Sequence, residues 1–363
     1  MSLFSKLFKK ETSNAVSKKG HKGFYELAIS KVERLTADAV KVTLDVPQNL
    51  KETFKFIPGQ YINFIIENNG KEERRSYSIC SGPNEELAVA VKAIKNGNIS
   101  IWFNEKAIQG TIVNVSKPEG NFKLSTNAKN IVAFAAGSGI TPIVSIAKSI
   151  SNSDKNLTLF YGNRTTSSII LKEEIKELSH VDVKHFLSAE EKDGFSKGRL
   201  DKSTITEAIK QNLDLLKADE FFICGPEQMI IDIADTLKLF GVDKNKVHYE
   251  LFTTPTLMKS ENSEVNSDFK GESNVKVILD GESIEFKLKS DGKPILDILD
   301  KQGFDAPYSC RGGVCCSCKA KVLNGKATMK LNYVLTDQEV NDGYVLMCQA
   351  HPASEDLTIS FDA

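Results

Sequence analysis

The sequence predicts a multidomain chain: a small antiparallel β-barrel, then an α/β doubly wound sheet, then a small domain built around four cysteines. Three observations carry this. From Gly23 to about Leu124, short alternating apolar runs are separated by Gly and Pro turns, the texture of a small antiparallel barrel. From Asn130 onward, near-continuous apolar runs alternate with helix-length stretches, as in a parallel sheet covered on both faces. Near the C-terminus, Cys310, Cys315 and Cys318 fall at C-x4-C-x2-C spacing, with Cys348 thirty residues beyond.

The whole chain sets the limits. A length of 363 residues allows two to three domains, and 40% hydrophobic with 26% charged residues is ordinary globular composition. The formal net charge of −1 gives no footprint for a nucleic-acid partner. Besides the four cysteines above there are only Cys80, Cys224 and Cys316. They are too few and too scattered for a secreted disulfide framework, so a reducing cytoplasm is expected. No stretch of eighteen uninterrupted apolar residues exists, so no stable membrane insertion is expected.

Taken in order, residues 1–22 carry six lysines against Glu11, net +5, with Leu3, Phe4, Leu7 and Phe8 among them. An amphipathic surface helix is one reading. The low apolar content of residues 12–20 favours a flexible basic tail instead. The barrel is expected over 23–126, with strands near 24–29, 40–44, 61–66 and 87–91. The nucleotide-type α/β domain is expected over 127–253. Its strands fall near 131–136, 157–161, 181–186 and 220–224, and its helices near 142–150, 171–178, 205–211 and 227–240. Residues 254–273 are polar and without period, and read as a linker. The last domain, 274–363, opens with a hairpin turning at Asp280-Gly281.

The cysteine spacing is the plant-type ligand pattern for a [2Fe–2S] cluster, in which two thiolates hold each iron. Gly312, Gly313 and Ser317 let backbone N–H groups approach bridging sulfides. A disulfide framework and a zinc site are the alternatives. Zinc sites usually come as two C-x2-C knuckles, whereas here three ligands share one loop. Cys316 reads as a small buried hydrophobe. With Pro307-Tyr308-Ser309 before it and Met347-Cys348-Gln349 after it, the last ninety residues resemble a plant-type ferredoxin domain. That resemblance implies an α+β (β-grasp) fold.

In the barrel, Arg75-Ser76-Tyr77-Ser78 follows a strand, with Pro58-Gly59-Gln60 before it and Gly97-Asn98-Ile99-Ser100 after it. An arginine there can hold phosphate oxygens, and a tyrosine can pack on a planar ring. This order resembles the flavin-binding domain of the ferredoxin–NADP reductase family. The resemblance implies FAD, with Arg75 on its pyrophosphate, Tyr77 and Ser76 lining the flavin, and Ser78 near N5 in a catalytic role. It also implies Ser100 on the pyrophosphate, and Asn98 and Ile99 as backbone contacts.

Gly137-Ser138-Gly139-Ile140-Thr141-Pro142 lies between an apolar strand and a helix, where free N–H groups attract phosphate. The sixth position is not glycine, so this is not the G-x-G-x-x-G fingerprint. It is similar to the nicotinamide-nucleotide loop of the same family, with Thr141 also reaching the flavin. Phe222-Ile223-Cys224-Gly225-Pro226-Glu227 is similar to the family's C-G-P element, which implies Cys224 as a catalytic neighbour of the nicotinamide. Alone, such a thiol reads as plain core. After the second strand, Asn163-Arg164 offers no acid for a ribose diol, and an arginine there suits a 2′-phosphate. NADPH is therefore expected over NADH. Phe252 is the candidate flavin cover. The five histidines show no metal spacing and are expected to be structural.

The resemblance spans nearly all of residues 23–363. It points to reductase components of multicomponent oxygenases that carry a fused ferredoxin domain. Electrons would run from NADPH through FAD and the [2Fe–2S] cluster to a diiron oxygenase partner. A ring-hydroxylating dioxygenase as acceptor, and a non-enzymatic iron–sulfur redox sensor, are the alternatives.

Overall fold

The computed structural model describes residues 21–68, 70–258 and 268–363. Most of the expected basic tail and the middle of the expected linker lie outside the described residues.

The first unit comprises β1 (Phe24–Thr36), β2 (Ala39–Asp45), β3 (Tyr61–Asn68), β4 (Lys71–Ser78), β5 (Ala88–Lys92), α1 (Asn98–Glu105) and β6 (Ile112–Ser116). Its strands pair antiparallel in the order β4-β3-β6-β1-β2-β5, and a bridge between Ile79 and Val89 brings the two edges together. Alternation sends Leu27, Ile29, Val40, Val42, Ile62 and Phe64 inward. Helix α1 plugs the barrel with Phe103, packed edge-on to Phe64 at 5.0 Å and Tyr77 at 5.6 Å.

The second unit comprises β7 (Asn130–Ala136), α2 (Ile140–Ser149), β8 (Asn156–Asn163), α3 (Lys172–Glu177), β9 (Val181–Leu187), β10 (Ser196–Lys197), α4 (Lys202–Gln211), β11 (Glu220–Cys224), α5 (Glu227–Leu239) and β12 (Val247–Glu250). All six strands run parallel, in the order β10-β9-β8-β7-β11-β12. Successive residues of β7 face opposite layers. Ile131, Ala133 and Ala135 share a core with residues of α2 and α3, while Val132 and Phe134 share one with residues of α4 and α5. The sheet is thus doubly wound. Helix α2 shows packing overriding propensity. Its Ile140, Thr141, Ile143, Val144 and Ile146 are β-branched and all buried. Each loses up to roughly 0.7 kcal/mol of helix propensity, against roughly 1.5–3 kcal/mol for burying a large aliphatic side chain. Burial wins. The helix starts two residues before Pro142, which sits in its first turn, where no N–H is needed.

The third unit comprises β13 (Glu272–Leu279), β14 (Glu282–Lys289), α6 (Ile295–Lys301), β15 (Lys319–Asn324), β16 (Ala327–Met329), α7 (Asp337–Asn341), β17 (Tyr344–Leu346), β18 (Ala350–Pro352) and β19 (Asp356–Ser360). A mixed sheet runs β14-β13-β19-β15-β17, and β16 pairs with β18. Strands β13 and β19 are parallel, and α6 buries Ile295, Leu296 and Leu299 in the same core as the sheet. This is the expected α+β grasp. The opening hairpin turns through Asp280 (φ 60°) and Gly281 (φ 78°), the two positive φ values that match strand twist.

The three units pack against one another. Val314 and Tyr333 of the third unit join the core under α4 and α5. Residues 254–258, the first part of the expected linker, are fastened down. Glu227 accepts hydrogen bonds from the backbone N–H of Thr256, Leu257 and Met258 at 2.6–2.9 Å, and Tyr333 Oη donates to the Met258 carbonyl at 3.0 Å. At the other end, His21 and Lys22 reach Asp305 and Asp280 of the third unit.

Candidate functional site

Strand β4 organises the site because its residues line two clefts: Tyr77 the first alone, Arg74 the second alone, and Arg75, Ser76 and Ser78 both. The first cleft, about 1010 Å³, runs between the barrel and the parallel sheet. Its walls bring together Arg75, Ser76, Tyr77, Ser78, Asn98, Ile99 and Ser100 from the barrel. The sheet contributes Gly137, Ser138, Gly139, Thr141, Asn163, Arg164, Gly225 and Pro226, and Phe252 closes one end. That volume is at the upper end for a small-molecule site and suits a ligand of dinucleotide size.

The loop 137–139 approaches the next strand closely. A Cβ on Gly139 would lie 2.0 Å from the Cys224 carbonyl oxygen, so only glycine fits. Tyr161 Oη lies within donating distance of the Gly137 and Ile170 carbonyls, at 3.1 and 3.2 Å, and supports the loop from below. Thr141 Oγ1 donates to the Ser138 carbonyl at 3.0 Å. Ser100 is the third residue of α1; its hydroxyl accepts from Ile94 N at 3.2 Å and donates to the Gly97 carbonyl at 3.3 Å. It therefore holds the loop before the helix together as well as lining the cleft.

Two expected residues do not line this cleft. Pro142 is buried within α2. Cys224 is fully buried beneath the loop, and its thiol is pushed well above the ordinary range by burial and then by the Glu250 charge. A thiol so placed is neutral, so its contribution is packing rather than nucleophilic chemistry.

The second cleft, about 650 Å³, lies between the barrel and the third unit. It shares Glu73, Arg75, Ser76, Ser78, Asn98, Phe252 and Thr253 with the first and ends at Ser309, Cys310 and Cys315. Glu250, at the end of β12, faces it and accepts a hydrogen bond from Ser78 Oγ at 3.2 Å. The protein packed around this carboxyl pushes it up to about 8, against the pull of Ser78. Sequence reasoning passed over Glu250. The available signal was an acid between Tyr249 and Leu251-Phe252 at the mouth of a parallel sheet. Phe252 is 46% exposed and free to cover a planar ring.

The four expected cysteine ligands converge. Cys315 Sγ lies 3.1 Å from Cys310 Sγ, and Cys348 contacts both Cys310 and Cys318. Hydrogen bonds from Cys315 and Cys348, and then from the N–H groups of Gly312 and Val314, hold the Cys310 thiol low. Those of Cys315 and Cys348 are pushed up in return. This donor set, thiols sharing charge under backbone N–H groups, fits a [2Fe–2S] cluster. Among the described residues, no three His, Cys, Asp or Glu side chains take the geometry of a single bound ion. The thiols touch in sequence instead, from 315 to 310 to 348 to 318. Cys316 is half-buried against the barrel, and burial pushes its thiol up to about 12.

The junction also contains residues that no local motif flagged. Asn63 Nδ2 donates to Ser317 Oγ at 3.0 Å, Ser76 and Ser309 hydroxyls meet at 2.8 Å, and Tyr61 Oη accepts from Cys316 N at 2.9 Å.

Comparison with known proteins matches three family models in the same order. These are an oxidoreductase FAD-binding domain over residues 26–124, an oxidoreductase NAD-binding domain over 134–235, and a 2Fe-2S iron-sulfur cluster binding domain over 277–353. The chain is 38% identical over 352 residues to one of the subunits of 1,2-phenylacetyl-CoA epoxidase from Escherichia coli (strain K12), covering 94% of this chain and 98% of that protein. It is 31% identical to the ferredoxin reductase component of 3-ketosteroid-9-alpha-monooxygenase from Mycobacterium tuberculosis, covering 93% and 96%. Among solved structures, phthalate dioxygenase reductase shares the fold over 93% of this chain and 98% of that one, with TM-score 0.57 and 23% identity. An intact type IV self-sufficient cytochrome P450 monooxygenase gives TM-score 0.68 at 22% identity, over 93% of this chain and 41% of that one. Among the described residues no helix is long and apolar enough to cross a membrane.

Proposed function

The chain belongs to the family of FAD- and NAD-binding oxidoreductases that carry a C-terminal 2Fe-2S domain, and from that premise we propose that it is the NADPH-dependent reductase component of a phenylacetyl-CoA epoxidase. Its electrons go to an oxygenase with a diiron centre in the cytoplasm. One observation carries the reading. The two clefts meet at Ser76, Ser78, Phe252 and Thr253, with the nucleotide loop along one and Cys310 and Cys315 at the end of the other. Donor, flavin and cluster sites therefore lie in a row.

When bound, FAD takes two electrons from the nicotinamide together and gives them up singly, and the [2Fe–2S] cluster carries one at a time. The chain supplies orientation and proton control. Arg75, 56% exposed and within 3.6 Å of Glu73, offers a guanidinium to the flavin pyrophosphate. Tyr77 is wedged against Phe64 and Phe103 and presents its ring to the flavin. Free N–H groups where the loop at 137–139 enters α2 receive the nucleotide phosphates. Gly225 and Pro226 leave the nicotinamide room above the buried Cys224. Glu250, raised to about 8, holds a proton at neutral pH while accepting a hydrogen bond from Ser78 Oγ, ready for the flavin edge. Cys310, Cys315, Cys318 and Cys348 hold the cluster.

The preference for NADPH rests on Arg164 and Arg199. Both stand exposed on the rim of the first cleft, with no acidic partner in an ion pair among the described residues. A 2′-phosphate supplies acceptors to both. The test is anaerobic titration with NADPH and then NADH, followed by absorbance and electron paramagnetic resonance. Flavin bleaching with a reduced [2Fe–2S] signal, at lower concentrations of NADPH than NADH, is the expected result. Absence of reduction by either nucleotide would end the proposal. Reconstitution with an oxygenase component separates an epoxidase partner from a steroid monooxygenase partner, which the 31% relative keeps in view.

A further inference from the structure

We propose that Arg74 is a positioning residue for electron transfer, a latch that holds the cluster domain against the flavin edge. The proposal rests on the relay described above and adds to it the residue that sets the docked geometry. Arg74 sits on the opposite face of β4 from Arg75 and is only 4% exposed. Its guanidinium pairs with Asp305, points Nη1 at the Ala306 carbonyl at 3.5 Å, and lies 4.5 Å over the Tyr308 ring. All three partners belong to the cluster domain and lead directly into Ser309 and Cys310. On its own side Arg74 has only Glu72 at 3.3 Å, His21 at 3.4 Å and the Phe24 ring at 5.5 Å among the described residues.

A buried guanidinium is costly unless its donors and its face are used. Here Nε and part of Nη2 are used by Glu72, while Nη1, the Nη2 pairing with Asp305 and the face over Tyr308 are used by the other domain, so separating the domains strips Arg74 of those partners. Arg311 also lies over the Tyr308 ring, at 4.1 Å. Arg311 is in turn held by Asp297 at 3.0 Å and Asp300 at 2.8 Å. Tyr308 therefore meets both Arg74 of the barrel and Arg311, the residue after the first cluster ligand. Hydroxyl and amide contacts hold the loop on both sides of the cysteines. Ser309 precedes Cys310 and meets Ser76; Ser317 precedes Cys318 and meets Asn63. Gly312 leaves no gap, since a Cβ there would lie 1.7 Å from Thr254 Oγ1.

The test uses the full-length protein with both cofactors and the variants Arg74→Ala, Arg74→Lys and Asp305→Asn. In anaerobic rapid mixing with NADPH, flavin bleaching should proceed at the parent rate in all three. Cluster reduction should slow by on the order of tenfold or more in Arg74→Ala. Lysine should not restore it, because it lacks the planar face that stacks on Tyr308. Limited proteolysis between residues 258 and 268 should accelerate in parallel, reporting undocking independently of activity. Parent-like cluster reduction and proteolysis in Arg74→Ala would overturn the latch. So would a loss of flavin binding in that variant with Asp305→Asn unchanged, because Arg74 would then serve the flavin. A parent protein whose flavin is reduced while its cluster is not would overturn the relay, and proteolysis would still decide whether Arg74 holds the domain.

Discussion

The two clefts on either side of β4 are built by different means. The wider one is made of turns: Gly137–Gly139, Gly225 and the start of α1 offer backbone N–H groups, and side chains such as Arg164, to something that diffuses in. The junction with the cluster domain is made of side chains already satisfied by each other, such as Asn63 with Ser317 and Arg74 with Asp305. A site for a departing ligand keeps its polar groups free. A site for a tethered domain spends them on that domain.

The largest effect that breaks this contrast is removal of a cluster ligand. Cys348→Ser should abolish the [2Fe–2S] signal and the bound iron, while FAD content and NADPH-driven bleaching of the flavin persist, because Cys348 lies in the core of the third unit alone. Iron analysis and visible absorbance measure this. Loss of flavin along with iron would show that the two regions are not separable.

Next is Glu250, which belongs to both regions. Its folded-state value of about 8 against an ordinary 4.5 means that the folded protein binds this proton more tightly than the unfolded chain. The stability it contributes is therefore present at low pH and is lost as pH rises from about 4.5 towards about 8. Proton donation at the flavin edge should likewise be complete below about 8 and fall above it. Glu250→Gln should lower turnover by on the order of a hundredfold and flatten the pH profile. A Gln variant that kept the parent profile would remove Glu250 from proton transfer.

A smaller effect sharpens the contrast from the open side. Replacing both Arg164 and Arg199 by Ala should raise KM for NADPH by about tenfold or more and leave NADH unaffected, since a charge-assisted hydrogen bond is worth roughly 1.5–3 kcal/mol. Equal changes for both nucleotides would mean that the arginines bind the shared part of the molecule.

The same contrast explains what the sequence made legible. Motifs such as Arg75–Ser78, Gly137–Pro142 and Cys310–Cys318 are local: a few adjacent residues fix a turn and aim it, so they can be read from spacing. The fold was readable in part: apolar runs mark β1, β2, β3, β5 and the parallel sheet, whereas the polar β4, which contains Arg75–Ser78 rather than preceding them, and the short β6 carry no such run and were not read. Contacts such as Arg74 with Asp305 join residues 231 positions apart, and nothing local distinguishes Arg74 from its neighbour Arg75. Glu250 was missed for a related reason. Its character comes from Ser78, 172 residues away, and from burial that only the assembled clefts create. Cys224 is the reverse case: its motif was legible, and what the structure adds is that its thiol is fully buried.

The smallest predicted effect asks whether burial is what gives the junction its strength. Asn63 is 1% exposed and its Nδ2 is within hydrogen-bond reach of Ser116, Glu119 and Ser317 at 3.0–3.2 Å. Asn121 crosses the same junction to Glu339 at 3.3 Å, but in water. Truncating Asn63 to Ala leaves buried hydroxyl and carboxyl groups without their donor, a cost of roughly 1–3 kcal/mol. Water replaces the amide in Asn121→Ala, so that change should stay within about 0.5 kcal/mol. Chemical denaturation and proteolysis between the domains measure both. Equal undocking by the two variants would mean that the junction is held by the number of its contacts. A large loss for Asn63 alone would mean that it is held by the few polar groups it shuts away from solvent, which is the condition under which a latch such as Arg74 can act.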